Sequence, residues 1–142
     1  MIVGSILVVF FAGSFIGPFP GFLITLGVPI SAWAGVILAD VALRRRNYAD
    51  AELYDPRGRY GSVQPVPIVL VLVGTVIGWG LVTNSYAGWL SWQGYLLGPL
   101  GLGGRAGSWA YANLGVFFAI AIGFVGHLLL GRARVQSQES VR

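Results

Sequence analysis

FPGFLITLGVPISAWAGVILADVAL, residues 19–43, carries a single charge, Asp40, and runs straight into Arg44-Arg45-Arg46. At 1.5 Å per residue this stretch outreaches the roughly 30 Å hydrocarbon core of a bilayer, so it reads as a transmembrane helix with some tilt. A carboxylate at the bilayer centre would cost about 2.5–3.5 kcal/mol, but Asp40 lies at the end of the block. It stands four residues before Arg44, the spacing of a helical ion pair, and the arginines complement the negative end of the helix dipole.

Three further apolar blocks flank this one. Ile2–Gly17 spans roughly 24 Å, a little short of a bilayer core, and reads as a helix whose start lies upstream. A signal peptide would open with Lys or Arg, and none is present there. Pro18 and Pro20 mark a tight break between the first two blocks. Residues 44–64 are polar, with a turn at Asp55-Pro56-Arg57-Gly58. The third block covers 65–83, and Pro65 suits the first turn of a helix. Residues 84–107 form a Gly- and aromatic-rich loop. Within it, Ala87 to Leu97 is expected as a short interfacial helix, and 98–107 is too rich in glycine for one. The fourth block, 108–130, leads into a polar tail, 132–142.

Composition agrees with lipid as the solvent. The 142 residues are 56% hydrophobic and 10% charged, against about 25% charged in soluble domains. A net charge of +4 would suggest nucleic acid in a soluble protein, but there is no lysine and the arginines sit between apolar blocks. Topology accounts for them without a nucleic-acid partner. Arg44, Arg45, Arg46, Arg57 and Arg59 follow block two, and Arg132, Arg134 and Arg142 follow block four. Only Arg105 lies between blocks three and four. With four crossings the two Arg-rich regions share a side, which the positive-inside rule makes cytoplasmic. The expectation is a multi-pass protein of the cell membrane, both termini in the cytoplasm.

Reactive chemistry is sparse. Cysteine is absent, and one histidine with five carboxylates gives little from which to build a metal site. No Ser-His-Asp or paired-carboxylate arrangement is spaced for catalysis, so neither a catalytic residue nor a cofactor is expected, and the chain does not read as an enzyme. Gly101-Leu102-Gly103-Gly104-Arg105 lacks the Lys-Ser/Thr of a phosphate loop. Asp40 as a proton or ion site competes with Asp40 as a helix-end anchor beside arginines, and the anchor is favoured. His127, one turn from the end of block four, raises a proton relay against the plainer reading of a packed histidine. Asn84, Gln93 and Asn113 read as solvated or bonded to nearby backbone. Small residues four apart (Gly13 and Gly17, Gly74 and Gly78, Ala119 and Gly123) suit close helix packing, and Gly78-Trp79-Gly80 reads as a packing notch.

The run Phe22-Leu23-Ile24-Thr25-Leu26-Gly27-Val28-Pro29-Ile30-Ser31-Ala32-Trp33-Ala34-Gly35-Val36-Ile37-Leu38-Ala39-Asp40, followed by Arg44-Arg45-Arg46 and Leu53-Tyr54, resembles the tenth-helix signature of the nucleobase:cation symporter-1 family. That family includes cytosine, purine and allantoin permeases. Ala32 stands where a proline is usual, and Val41 where a tyrosine usually follows the aspartate. Looser likeness extends through Tyr60-Gly61, Gly78–Asn84 and Trp89–Tyr95. The resemblance implies an all-α membrane fold in which the four blocks are helices nine to twelve of a twelve-helix, inverted-repeat permease of the leucine-transporter type. Such helices run out, in, out, in, as the charges also require.

The resemblance further implies carriage of a nucleobase or related heterocycle with Na+ or H+. In the family the substrate and cation sites lie on the first, third, sixth and eighth helices, so none is expected in this fragment. Phe19, Phe22 and Leu23 are the candidates for a thin extracellular gate, with plain packing of the helix hairpin as the alternative. The implied partners are the bilayer and the missing N-terminal helices, with substrate bound only in the intact protein. The alternative function is a small free-standing membrane subunit that acts through helix–helix association.

Overall fold

A computed structural model describes residues 16–44 and 63–140, together with Tyr48, Asp55 and Gly58. Most of the first apolar block, Arg45 and Arg46, most of the 44–64 segment and Arg142 lie outside the described residues. Among the described residues the fold is entirely helical: α1 (Phe19–Leu43), α2 (Pro65–Gly80), α3 (Leu114–Leu130) and α4 (Arg132–Ser140), with two 3-10 turns at Gly88–Leu90 and Gly104–Ala106. Gly58 N–H donates to Asp55 O at 2.9 Å, closing a turn where one is read from the sequence.

Helix α1 is long and apolar enough to cross a membrane, with a mean hydropathy of 2.0, yet only 28% of its most apolar stretch is buried. Helix α2 is shorter, at 16 residues. Helices α3 and α4 pass the same test only together, as one span bent by 54°.

The three long helices meet along glycine and alanine. Val28, Ala32, Val82 and Ala119 form the buried core, with Ile24, Val71, Trp79 and Val116 packed around it. A Cβ on Gly35 or Gly123 would strike the facing backbone, at Ile120 O and Ala32 O respectively. One on Gly115 would strike Gly78 O. Each helix therefore approaches its neighbour at backbone distance, which only a missing side chain permits.

Proline is tolerated inside α1 for a visible reason. Pro29 has no N–H to offer the carbonyl of Thr25 one turn back. The Trp79 indole Nε1–H of α2 takes that carbonyl instead, at 2.9 Å.

Four boundaries depart from the sequence reading. Helix α2 ends at Gly80 rather than residue 83, because the following loop folds back onto its last carbonyls. Leu81, Gly94 and Leu96 N–H donate to Gly78, Trp79 and Gly80 O at 3.0, 2.9 and 2.9 Å, satisfying acceptors that a helix end otherwise leaves open. Gly94 makes that return with φ +80, a backbone state side chains resist. Residues 87–97 hold one 3-10 turn and further turns rather than an interfacial helix. Helix α3 begins at Leu114 rather than 108, since Asn113 adopts the left-handed conformation (φ 50) and breaks the run. The polar tail is helical as α4, with Val135 and Gln138 buried at i, i+3 spacing.

Candidate functional site

Polar side chains gather at both ends of the bundle. At the Trp-rich end Thr25 is the centre. Its hydroxyl donates to Gly21 O at 2.9 Å and accepts from Gln93 Nε2 at 2.9 Å. Asn84 Nδ2 donates to Gly21 O at 2.7 Å and lies 3.4 Å from the same hydroxyl. Asn84 and Gln93 are buried rather than solvated; Asn84 bonds backbone, the other reading of the sequence, but that of α1, and together the two side chains pin the long loop to α1. Asn113 is exposed. Trp79 and Trp92 pack edge to face, centroids 5.4 Å apart. Gln93 Oε1 is left without a partner. Nearby, Tyr95 donates its hydroxyl to Val76 O.

At the Arg-rich end Asp40 is the centre. Arg44 Nε donates to its Oδ2 at 2.7 Å and Nη2 to its Oδ1 at 3.3 Å. Tyr48 donates its hydroxyl to Oδ2 at 2.5 Å. Across the bundle, His127 Nε2 of α3 stands 3.3 Å from Oδ1. Two carboxylate oxygens offer about four lone-pair positions, and these four contacts use them. Arg44 Nη2 also donates to Gln138 Oε1 of α4 at 3.0 Å, and the Tyr48 ring lies 4.4 Å from the guanidinium carbon. Burial and its bond to Asp40 push the Tyr48 hydroxyl above the ordinary tyrosine value.

His127 is buried, and its Nδ1 has no hydrogen-bond partner. Gly131 makes room for the ring: a Cβ there would fall 2.7 Å from the imidazole. A groove of about 590 Å3 opens between α1 and α2 and reaches this histidine.

Asp40 and Arg44, singled out from their spacing, thus sit together. Phe19, Phe22 and Leu23, the gate candidates, lie about 30 Å away along α1, exposed on its apolar side. His127 facing Asp40 was not foreseen as a pair, although both stood at the Arg-rich end of their blocks. Tyr48 and Gln138 carried less signal still, only the proximity of the first to the arginines and the i, i+3 step from Val135 to the second. Among the described residues no three His, Asp or Glu side chains gather to hold a metal ion.

No family model, no curated protein and no solved structure matches this chain.

Proposed function

We propose that this chain is the C-terminal part of a secondary active transporter for nucleobases or related heterocycles, of the cytosine/purine permease kind, and that it does not transport alone. In this reading four helices cross the cell membrane, both Arg-rich segments face the cytoplasm, and the Trp-rich loop faces outside. No substrate or coupling-ion site belongs to this portion, and Na+ or H+ acts on the helices it lacks.

The observation that carries the membrane part is the face of α1. Phe22, Leu26, Ile30, Trp33, Ile37 and Val41 follow one another at three- and four-residue steps, and every one of them is exposed. A helix of this apolarity inside a soluble protein would be mostly buried; this one needs lipid or neighbouring helices along its length. The transporter part rests on the resemblance of residues 22–54.

The alternative, a free-standing subunit associating through its glycine faces, loses much of its surface. Gly35, Gly74, Gly78, Gly115 and Gly123 are all occupied within the three-helix packing.

Uptake of radiolabelled cytosine and adenine in a permease-deficient host tests the proposal. The chain alone should leave uptake at background, and co-expression with the missing N-terminal helices of such a permease should restore uptake. Transport by the chain alone would sink the fragment reading.

A further inference from the structure

The groove beside His127 is apolar along most of its length and polar at one end. On α1 its lining runs from Trp33 to Arg44, about 16 Å along the helix axis. Trp33, Ile68 and Leu72 wall the apolar part, all three exposed to the side. Asp40, Arg44 and His127 line the polar end. Its volume of about 590 Å3 lies within the roughly 300–1,000 Å3 of ligand sites.

Two observations at the polar end define the occupant. The first is a hydrogen-bond role. The Asp40 carboxylate only accepts, so His127 Nε2, 3.3 Å from its Oδ1, carries the proton. In the neutral ring that makes Nδ1 an acceptor. Nδ1 is buried with no donor on it, in a side chain only 4% exposed, and a buried acceptor without a partner is costly. A molecule that answers it brings an O–H or N–H, which a phosphodiester, a carboxylate or a carboxylic ester lacks. The second is charge. Among the described residues the lining carries one carboxylate and one guanidinium, Asp40 and Arg44, and they pair with each other at 2.7 Å. A charged head would meet no counter-charge there.

We propose that this groove holds an uncharged lipid headed by a hydroxyl, its tail lying along Trp33, Ile68 and Leu72 and its O–H donating to His127 Nδ1. The inference rests on the membrane part of the reading above, not on the transporter part. A wholly polar ligand would leave the apolar walls unfilled. The rival donor is a water held in the adjoining cavity of about 40 Å3, which His127 also lines; with Nδ1 satisfied in that way, the groove would have no preference for a hydroxyl.

The test uses the full chain reconstituted into phosphatidylcholine nanodiscs doped with equal amounts of oleyl alcohol, methyl oleate and oleyl sulfate, with retained lipid read by mass spectrometry after transfer to mild detergent. The three share a tail and differ in the head: a donor, no donor, and a charge without a donor. Oleyl alcohol should be retained about tenfold over methyl oleate, the effect of one hydrogen bond to a buried acceptor, and over the sulfate. Ile68→Trp, which fills the groove from its exposed wall, should abolish that retention, whereas Leu129→Trp, equally bulky on an exposed face outside the groove, should not. His127→Phe keeps a ring, removes the acceptor and should erase the preference for alcohol over ester. The three-lipid comparison in the unmodified chain and the two tryptophan variants decide the matter even where His127→Phe fails to fold. Equal retention of alcohol and ester, preference for the sulfate, indifference to Ile68→Trp, or a preference that outlasts His127→Phe would each overturn the proposal. A chain that leaves the membrane fraction on carbonate washing would overturn the membrane reading as well; one that stays yet holds none of the three lipids overturns the groove alone.

Discussion

Asp40 is the residue on which the Arg-rich end depends. Its side chain is 19% exposed and that of Arg44 8%, so the pair is partly withdrawn from solvent and its loss is felt. Asp40→Asn should destabilise the fold by about 1–3 kcal/mol, because it leaves a buried guanidinium without its counter-charge. Denaturation by dodecyl sulfate, followed by circular dichroism, measures it. The double variant with Arg44→Gln should cost less than the sum of the two single changes, since both act on one interaction. Tyr48 adds a pH dependence. Its hydroxyl is held above the usual 10.0, so the bond to Asp40 contributes in full below that value and is lost as pH rises through the raised folded one. The stability of Tyr48→Phe should accordingly vary less above pH 10 than that of the parent, as thermal melts across that range would register.

At the scale of elements, Trp79 and Pro29 form a testable couple. Trp79→Phe keeps a ring against Trp92 but strands the Thr25 carbonyl, and should cost about 1–3 kcal/mol in the same unfolding assay. Pro29→Ala should recover part of that loss in the Trp79→Phe background, because an alanine at this position returns the missing backbone donor; no recovery would refute the account. The extent of α1 was legible because an unbroken apolar run ends on arginines. The start of α3 and the end of α2 were not, because they are set by loop backbone returning from more than ten residues away and by the left-handed turn at Asn113. Leu81-Val82-Thr83 is as apolar as the helix before it, and Ser108 to Asn113 contains neither glycine nor proline to mark a break. The Asp40–Arg44 contact was legible from local spacing. The approach of His127 was not, since it depends on how α1 and α3 are rotated against each other, which Gly35 and Gly123 fix by permitting contact.

For the whole molecule the prediction is one of sidedness. The chain contains no cysteine, so single cysteines can be introduced without background. Ser91→Cys, exposed in the Trp-rich loop, should react with an impermeant maleimide on intact cells. Ser137→Cys, exposed on α4, should react only after permeabilisation. The reverse pattern would invert the orientation, and labelling of both on intact cells would dismiss the four-crossing arrangement.

The bond from the Trp79 indole to the Thr25 carbonyl bears on how such a chain is made. Helix α1 emerges from the ribosome well before α2, and until α2 arrives it carries an acceptor that hydrocarbon cannot satisfy, at a cost of several kcal/mol. A helix with that defect is a poor candidate for solitary release into lipid. Under the membrane reading proposed above, co-translational insertion is thus biased towards keeping α1 beside the insertion machinery, or in contact with water, until its neighbour has been synthesised and the two leave as a hairpin.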